Sequence, residues 1–211
     1  MHQKQLLFIY LFFSSITLSF AQLSTKHYIP PITTSDPIAN QIIYISTPSL
    51  TNINFTITPI GGSPINYVAS NDSPFAYEIF NSSNGGNNSQ LHQLNSDTNT
   101  IIDDKGFIIE STEGLLSVSV RVRRALITGF GQVHAGALVS KGLSALGREF
   151  RVGGLIPEVS GGNRLNFVSV MATENNTNIT FNIPSGTDLL NSPTTTGPVS
   201  INLNENETYI M

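Results

Sequence analysis

Alternation of apolar and polar residues is the feature that most restricts what this chain can form. Every second residue is apolar from residue 116 to 123, and serine or arginine stands between. Residues 51–57 alternate in the same way, with apolar side chains at Ile53, Phe55 and Ile57. Because successive side chains leave a β-strand on opposite faces, both segments predict strands that bury one face.

Further short runs predict more strands, and turn-forming residues separate them. Glycine permits a positive φ and proline presets a turn, so segments rich in both predict breaks. One short helix of a turn or two is expected within residues 139–146, because glycines weaken it. The additional strands are predicted at 42–46, 75–79, 107–110, 165–172 and 199–203, and the breaks at 61–64, 71–74, 81–89, 104–106 and 160–163. The sequence therefore predicts an all-β fold.

An internal repeat indicates the size of the structural unit. A shift of 126 positions lays residues 42–57 over 168–183 without a gap, with six identities in sixteen positions. Both copies keep the pattern Ile-x-Phe-x-Ile, at 53–57 and at 179–183. We expect these rows to be equivalent buried faces of one repeated β unit. A looser match of 73–77 to 207–211, lengthened by eight residues, predicts that the sequence stops inside the second copy.

The length of the repeat favours an antiparallel β-sandwich module over a propeller. A propeller blade of four short strands takes only about 40 to 50 residues. An arrangement of propeller-like blades stays open as the alternative. We assign residues 1–21 to a signal peptide, 22–147 to a first β module and 148–211 to an incomplete second β module.

The first 21 residues have the features of an export signal. Lys4 supplies a positive charge, residues 6–20 are largely apolar, and Ser19-Phe20-Ala21 suits cleavage after Ala21. The apolar run is shorter than the about 20 residues that span a bilayer. We therefore expect a secreted or cell-surface protein with no membrane span once the signal is removed. Since the chain has no cysteine, packing rather than disulfides must stabilise it.

The charge balance argues against a nucleic acid partner. Residues 22–211 carry nine lysines and arginines against fourteen acidic residues, a mildly acidic balance. Nucleic acid phosphates call for a basic face, which this composition does not favour.

Several short motifs resemble the N-terminal domain family of IgGFc-binding protein. The resemblance lies in residues 143–150 (LSALGREF), 165–173 and 178–184, with similar segments upstream at 106–111 and 116–120. Bacterial members of that family occur in long exported surface proteins of gliding Gram-negative bacteria. The resemblance implies cell-surface display or adhesion, with a glycoprotein or polysaccharide as partner. It supplies no ligand-contact residues that could be transferred to this chain.

The ionisable residues do not form a known catalytic or metal-binding pattern. His27, His92 and His134 are widely separated and lack metal-ligand spacing. The neighbouring carboxylates of Asp103 and Asp104 belong to a predicted turn. Glu110 and Glu113 are close in sequence, but no catalytic motif surrounds them. Oxygen-bearing residues within 97–104 lack the glycine and closing glutamate of a calcium loop. We expect no enzyme activity, no cofactor and no metal.

Arg121, Arg123 and Arg124 form the main basic cluster. Arg121 and Arg123 are predicted to share the solvent face of one strand, where they would contact an acidic glycan. The alternative, which we favour from the sequence alone, is an exposed edge strand whose charges prevent pairing with another chain. The sequence thus predicts an exported, non-catalytic adhesion or structural binding module. The alternative function is an accessory domain of an exported hydrolase whose catalytic part lies beyond residue 211.

Overall fold

A computed structural model of the chain describes residues 22–34, 38–86, 89–124, 135–153, 166–185, 189, 191 and 197–211, without the side chains of 81–86, 124 and 135. The predicted signal peptide and the predicted break at 160–163 lie outside these residues. Strands dominate the described part, and its helices are short 3₁₀ turns, Asn95–Asp97 and Gly142–Ala145. The prediction of an all-β fold is confirmed.

The strands alternate with turns along the whole described chain. In chain order they are β1 (Lys26–Ile29), β2 (Ile32–Thr33), β3 (Ile38–Ser46), β4 (Ile53–Pro59), β5 (Ile65–Ala69), β6 (Phe75–Gly86), β7 (His92–Gln93), β8 (Ile101–Ile102), β9 (Phe107–Glu110), β10 (Ser117–Arg124), β11 (Ala135–Val139), β12 (Ser169–Met171), β13 (Thr177–Ile183), β14 (Gly197–Leu203) and β15 (Thr208–Ile210).

Two four-stranded antiparallel sheets contain most strands of the first 140 residues. Their strand orders are β1-β9-β4-β5 and β11-β10-β3-β6. The alternating apolar residues of both sheets meet in one core, which includes Phe55 of β4, Ile43 of β3 and Val118 of β10. Phe107 of the first sheet lies edge-on to Tyr77 of the second, with ring centroids 5.9 Å apart. The predicted buried rows of β4 and β10 therefore help to hold these sheets together, whereas the predicted row of Ile179, Phe181 and Ile183 is only half-buried.

The carboxyl-terminal strands form smaller sheets with a core of their own. β12, β15 and β8 make a three-stranded sheet in that order, and β13 pairs with β14. Ala172, Leu203 and Tyr209 are buried together here. β8 comes from the region assigned to the first module, so the sheet of β12 and β15 extends across the predicted boundary at residue 147. β2 and β7 form a short parallel pair.

Most predicted strands are confirmed, and three expectations need correction. The predicted break at 81–89 is wrong over 81–86, where β6 continues to Gly86 because register shifts against β3 accommodate the extra residues. Among the described residues of the predicted strand at 165–172, the strand forms over Ser169–Met171 but not over 166–168 or at Ala172. The prediction that β10 is an edge strand is also wrong, because β10 pairs with β3 on one side and β11 on the other.

Within the described residues, no helix is long and apolar enough to cross a membrane.

Candidate functional site

Arg121 and Arg123 lie on the open face of the sheet formed by β11, β10, β3 and β6. Both side chains are exposed, whereas Val118 and Val120 on the other face of β10 are buried. Arg121 stands opposite Ile42 of β3 and Ala137 of β11. Alternation along β10 therefore separates the basic face from the core, as the sequence predicts.

Tyr44 joins the two arginines on this face. Its ring lies 5.1 Å from the guanidinium carbon of Arg121, within the range of a cation–π interaction. Tyr44 remains 39% exposed, so the ring still presents surface to solvent. We call Tyr44, Arg121 and Arg123 the arginine face. Sequence reasoning missed Tyr44, although its position on the polar row of β3 was the available signal.

Arg121 and Arg123 form no ion pair with a described carboxylate. An ion pair elsewhere on the surface joins Lys26 Nζ to Glu110 Oε2 at 3.5 Å. The backbone of Arg124 continues β10 opposite Ile38, after a register shift, and its side chain lies outside the description. The structure thus groups Arg121 and Arg123 and leaves them accessible to an anion.

A cavity of about 580 Å³ lies mainly on the other face of β10, and Arg123 is the member of the arginine face that lines it. Its lining is mainly apolar and includes Val122, Leu138 and Phe167, with Arg123 as its charged member. Pro30 and Pro31 form another wall. Because proline has no N–H to donate to a sheet, this pair ends β1 and carries the chain away from the first sheet. The two consecutive prolines were the sequence signal for a chain that leaves the sheet at this cavity, and sequence reasoning missed it.

His27 has a structural role. It is fully buried, with Nδ1 2.9 Å from Ser140 Oγ and Nε2 2.9 Å from the carbonyl oxygen of Leu116. The carbonyl can only accept, so Nε2–H donates to it and the Ser140 hydroxyl donates to Nδ1 of a neutral ring. Burial lowers the pKa of His27 below its ordinary value. The ring therefore fastens β1 to the start of β10 and the end of β11.

The remaining candidate ligands are dispersed. His92 is buried, and its Nε2 lies 3.1 Å from Thr34 Oγ1, while His134 lies outside the described residues. Asp103 and Asp104 occupy a bend before β9, as the turn prediction stated. In the described part of the chain, no three His, Asp or Glu side chains converge in a way that could hold a metal ion.

Glu110 and Glu113 are occupied by separate structural partners. Glu110 pairs with Lys26, whereas the Glu113 carboxylate accepts hydrogen bonds from Asn54 N–H at 2.6 Å and Asn54 Nδ2 at 2.9 Å. These bonds, the backbone one foremost, hold the pKa of Glu113 below its ordinary value. The Glu113 carboxylate thus secures the loop after β9 to β4.

Comparison of the chain with protein-family models, with curated proteins and with solved structures finds no match. The resemblance to the IgGFc-binding protein family stays a prediction that depends on the sequence motifs.

Proposed function

We propose that this chain is an exported, non-catalytic adhesion or structural binding module. In this proposal the module is an antiparallel β-sandwich, and its unit is repeated in the polypeptide. The observation that carries the proposal is a shared order of strand pairing in two parts of the chain, which we call the first strand set (β3 to β6) and the second strand set (β12 to β15).

The pairing order is the same in both sets. In the first set, β3 pairs with β6 and β4 pairs with β5. In the second set, β12 pairs with β15 and β13 pairs with β14. The first strand thus pairs with the fourth and the second with the third, all antiparallel. This agreement supports a repeated unit, since the third strands, β5 and β14, lie outside the segments that define the sequence repeat.

The turns before the fourth strands agree in detail. Ser73 N–H donates to the carbonyl of Ser70 at 3.2 Å, and Glu207 N–H donates to that of Asn204 at 3.0 Å. Both residues of the second bond lie 134 positions after those of the first, the offset found between 73–77 and 207–211. Local hydrogen bonding therefore supports the same alignment as the sequence.

The sandwich is supported by the shared core of the two four-stranded sheets. Buried residues of both sheets belong to one apolar cluster, as expected when sheets pack face to face. This arrangement leaves the opposite face of the second sheet, which carries the arginine face, turned toward solvent.

The arginine face is the proposed contact surface for an acidic glycan, carried by a glycoprotein or a polysaccharide. Guanidinium groups bind carboxylate and sulfate groups through charge-assisted hydrogen bonds. The exposed ring of Tyr44 offers an apolar surface beside them on which a sugar ring can pack. Residues 1–21 and the family resemblance support export and display on a cell surface.

Binding to immobilised acidic polysaccharide tests this proposal. The double variant Arg121→Ala/Arg123→Ala should weaken binding about tenfold or more, because each charged hydrogen bond contributes about 1.5 to 3 kcal/mol. The matched control is Arg148→Ala/Arg151→Ala, which removes two other exposed arginines and should leave affinity unchanged. Equal losses in both variants, or no binding by the unsubstituted chain, would contradict the proposal.

A further inference from the structure

The second strand set has two strand edges that no described strand covers. β13 pairs only with β14, and β12 pairs only with β15, within the part of the chain that the structure describes. Ile179, Phe181 and Ile183 on β13 are only half-buried. The equivalent row on β4 is at most 4% exposed. An apolar row next to an open edge is the arrangement to which a further strand can add.

The first strand set shows what covers the equivalent edges. β9 lies beside β4, with Ile109 opposite Ile57, and β10 lies beside β3, with Val120 opposite Ile43. The two covering strands are consecutive and belong to one segment, residues 107–124. Ile109 and Val120 are buried in the core that this segment completes. A single continuous segment therefore closes both sheets of the first strand set.

We propose that the open edges of β12 and β13 bind a two-stranded segment with the residue pattern of 107–124, supplied by a further copy of the repeated unit. The inference rests on the repeat in the proposed function. The incoming strands would pair antiparallel with β12 and β13 and cover the row of Ile179, Phe181 and Ile183.

Charge favours a segment of this composition. Residues 166–211 contain four acidic residues and no lysine or arginine. Residues 107–124 contain three arginines and two glutamates, so their balance is positive. Opposite net charges assist the approach of two such surfaces.

A synthetic peptide of residues 105–124, added to the purified chain, tests the inference by amide hydrogen exchange. Bound peptide should slow exchange about tenfold in 177–183 and in 169–171, because added strands protect the backbone of an open edge. Exchange in β3 and β4 should not change, since both strands are already covered on both sides. The control peptide carries Ile109→Pro and Val120→Pro, which remove N–H donors and should abolish the protection.

Three results would overturn the inference. One is no added protection in β12 and β13, and another is equal protection by both peptides. The third is protection that appears without peptide as the chain concentration rises, which would show that these edges pair with the same edges of a second chain rather than with a 107–124 segment. Polysaccharide binding through the arginine face does not require covered edges, so failure of either experiment can be distinguished from failure of the other.

Discussion

Phe55 is a buried residue of the core that packs against other aromatic rings. Its ring centroid lies 6.0 Å from that of Tyr67 and 5.7 Å from that of Phe75. Phe181, which the proposed repeat makes equivalent to Phe55, is only half-buried. The same residue pattern predicted that both side chains are buried. Alternation shows which face of a strand a residue occupies but not how deeply that face is buried.

This difference gives an expected order of stability losses. Phe55→Ala should reduce the free energy of unfolding by about 3 to 5 kcal/mol, the usual loss for a buried phenylalanine. Phe181→Ala should cost clearly less, because part of its ring already contacts water. Urea unfolding of both variants measures the order. A loss under about 1 kcal/mol for Phe55→Ala would show that its row is not core.

His27 predicts a pH dependence of stability. Its pKa is lowered in the folded chain, so below the ordinary value of about 6.5 the unfolded chain binds a proton that the folded chain resists. Above that value the ring is neutral in both states and contributes no pH dependence. The free energy of unfolding should therefore fall as pH decreases below about 6.5, by at most about 1.4 kcal/mol per pH unit for this one group.

Urea unfolding at several values between pH 5 and 8 measures this effect. His27→Gln should reduce the slope below pH 6.5, whatever its effect on stability at pH 8. His92→Gln is the companion variant, and it should keep the His27 contribution. An unchanged slope in His27→Gln would show that this ring does not titrate differently on folding.

Gly106 controls how β9 begins. Its φ is +103°, and a Cβ built there would lie 2.6 Å from the carbonyl oxygen of Ile29 on β1. Gly197, at the start of β14, also has a positive φ but has no atom within 4 Å of such a Cβ. Comparing alanine substitutions at these two glycines therefore separates the cost of a positive φ from the cost of a steric clash.

Gly106→Ala should destabilise the chain by more than Gly197→Ala does. The second variant bears only the cost of a positive φ for alanine, about 1 to 2 kcal/mol, whereas the first must also displace the β1 backbone. Thermal unfolding of the two variants tests the order. Equal shifts of Tm would mean that β1 and Gly106 are not in close contact.

Local patterns predicted the elements that alternate strongly, and they could not predict pairing. β4, β9 and β10 lie where their residue pattern indicated, since each buries one face. β11 was missed because its small residues, Ala135-Gly136-Ala137, show no alternation. Its absence from the prediction made β10 appear to be an edge strand. The exposure of the arginines could be predicted from the sequence. The position of Tyr44 beside them could not, because it depends on the pairing of β3 with β10.

At the scale of the whole molecule, the two predicted modules share structure. Ile101 and Ile102 of β8 pair with β15, and Asn99 N–H donates to the carbonyl of Ile210 at 2.7 Å. A strand of two residues carries no detectable periodicity, so this connection could not be predicted from residue patterns. The division at residue 147 therefore describes the repeat in the sequence better than it describes the sheets.

The pairing of β12 with β15 is central to the proposed repeated unit. Val168 and Met211 exchange both backbone hydrogen bonds, at 2.8 and 3.0 Å. Hydrogen-bonded and non-hydrogen-bonded pairs alternate along an antiparallel ladder, so Met171 and Thr208 form a non-hydrogen-bonded pair. The Cα atoms of such a pair are about 4.5 Å apart. Such a pair suits a disulfide, and the chain has no cysteine that would interfere.

Disulfide formation in Met171→Cys/Thr208→Cys tests the repeated pairing order most directly. We expect rapid oxidation of this double variant, which mass spectrometry of the cross-linked fragment would detect. Val170→Cys/Thr208→Cys should keep free thiols, because neighbouring residues point to opposite faces. Slow oxidation of the first variant, or equal oxidation of both, would contradict the pairing of β12 with β15 and with it the repeated unit.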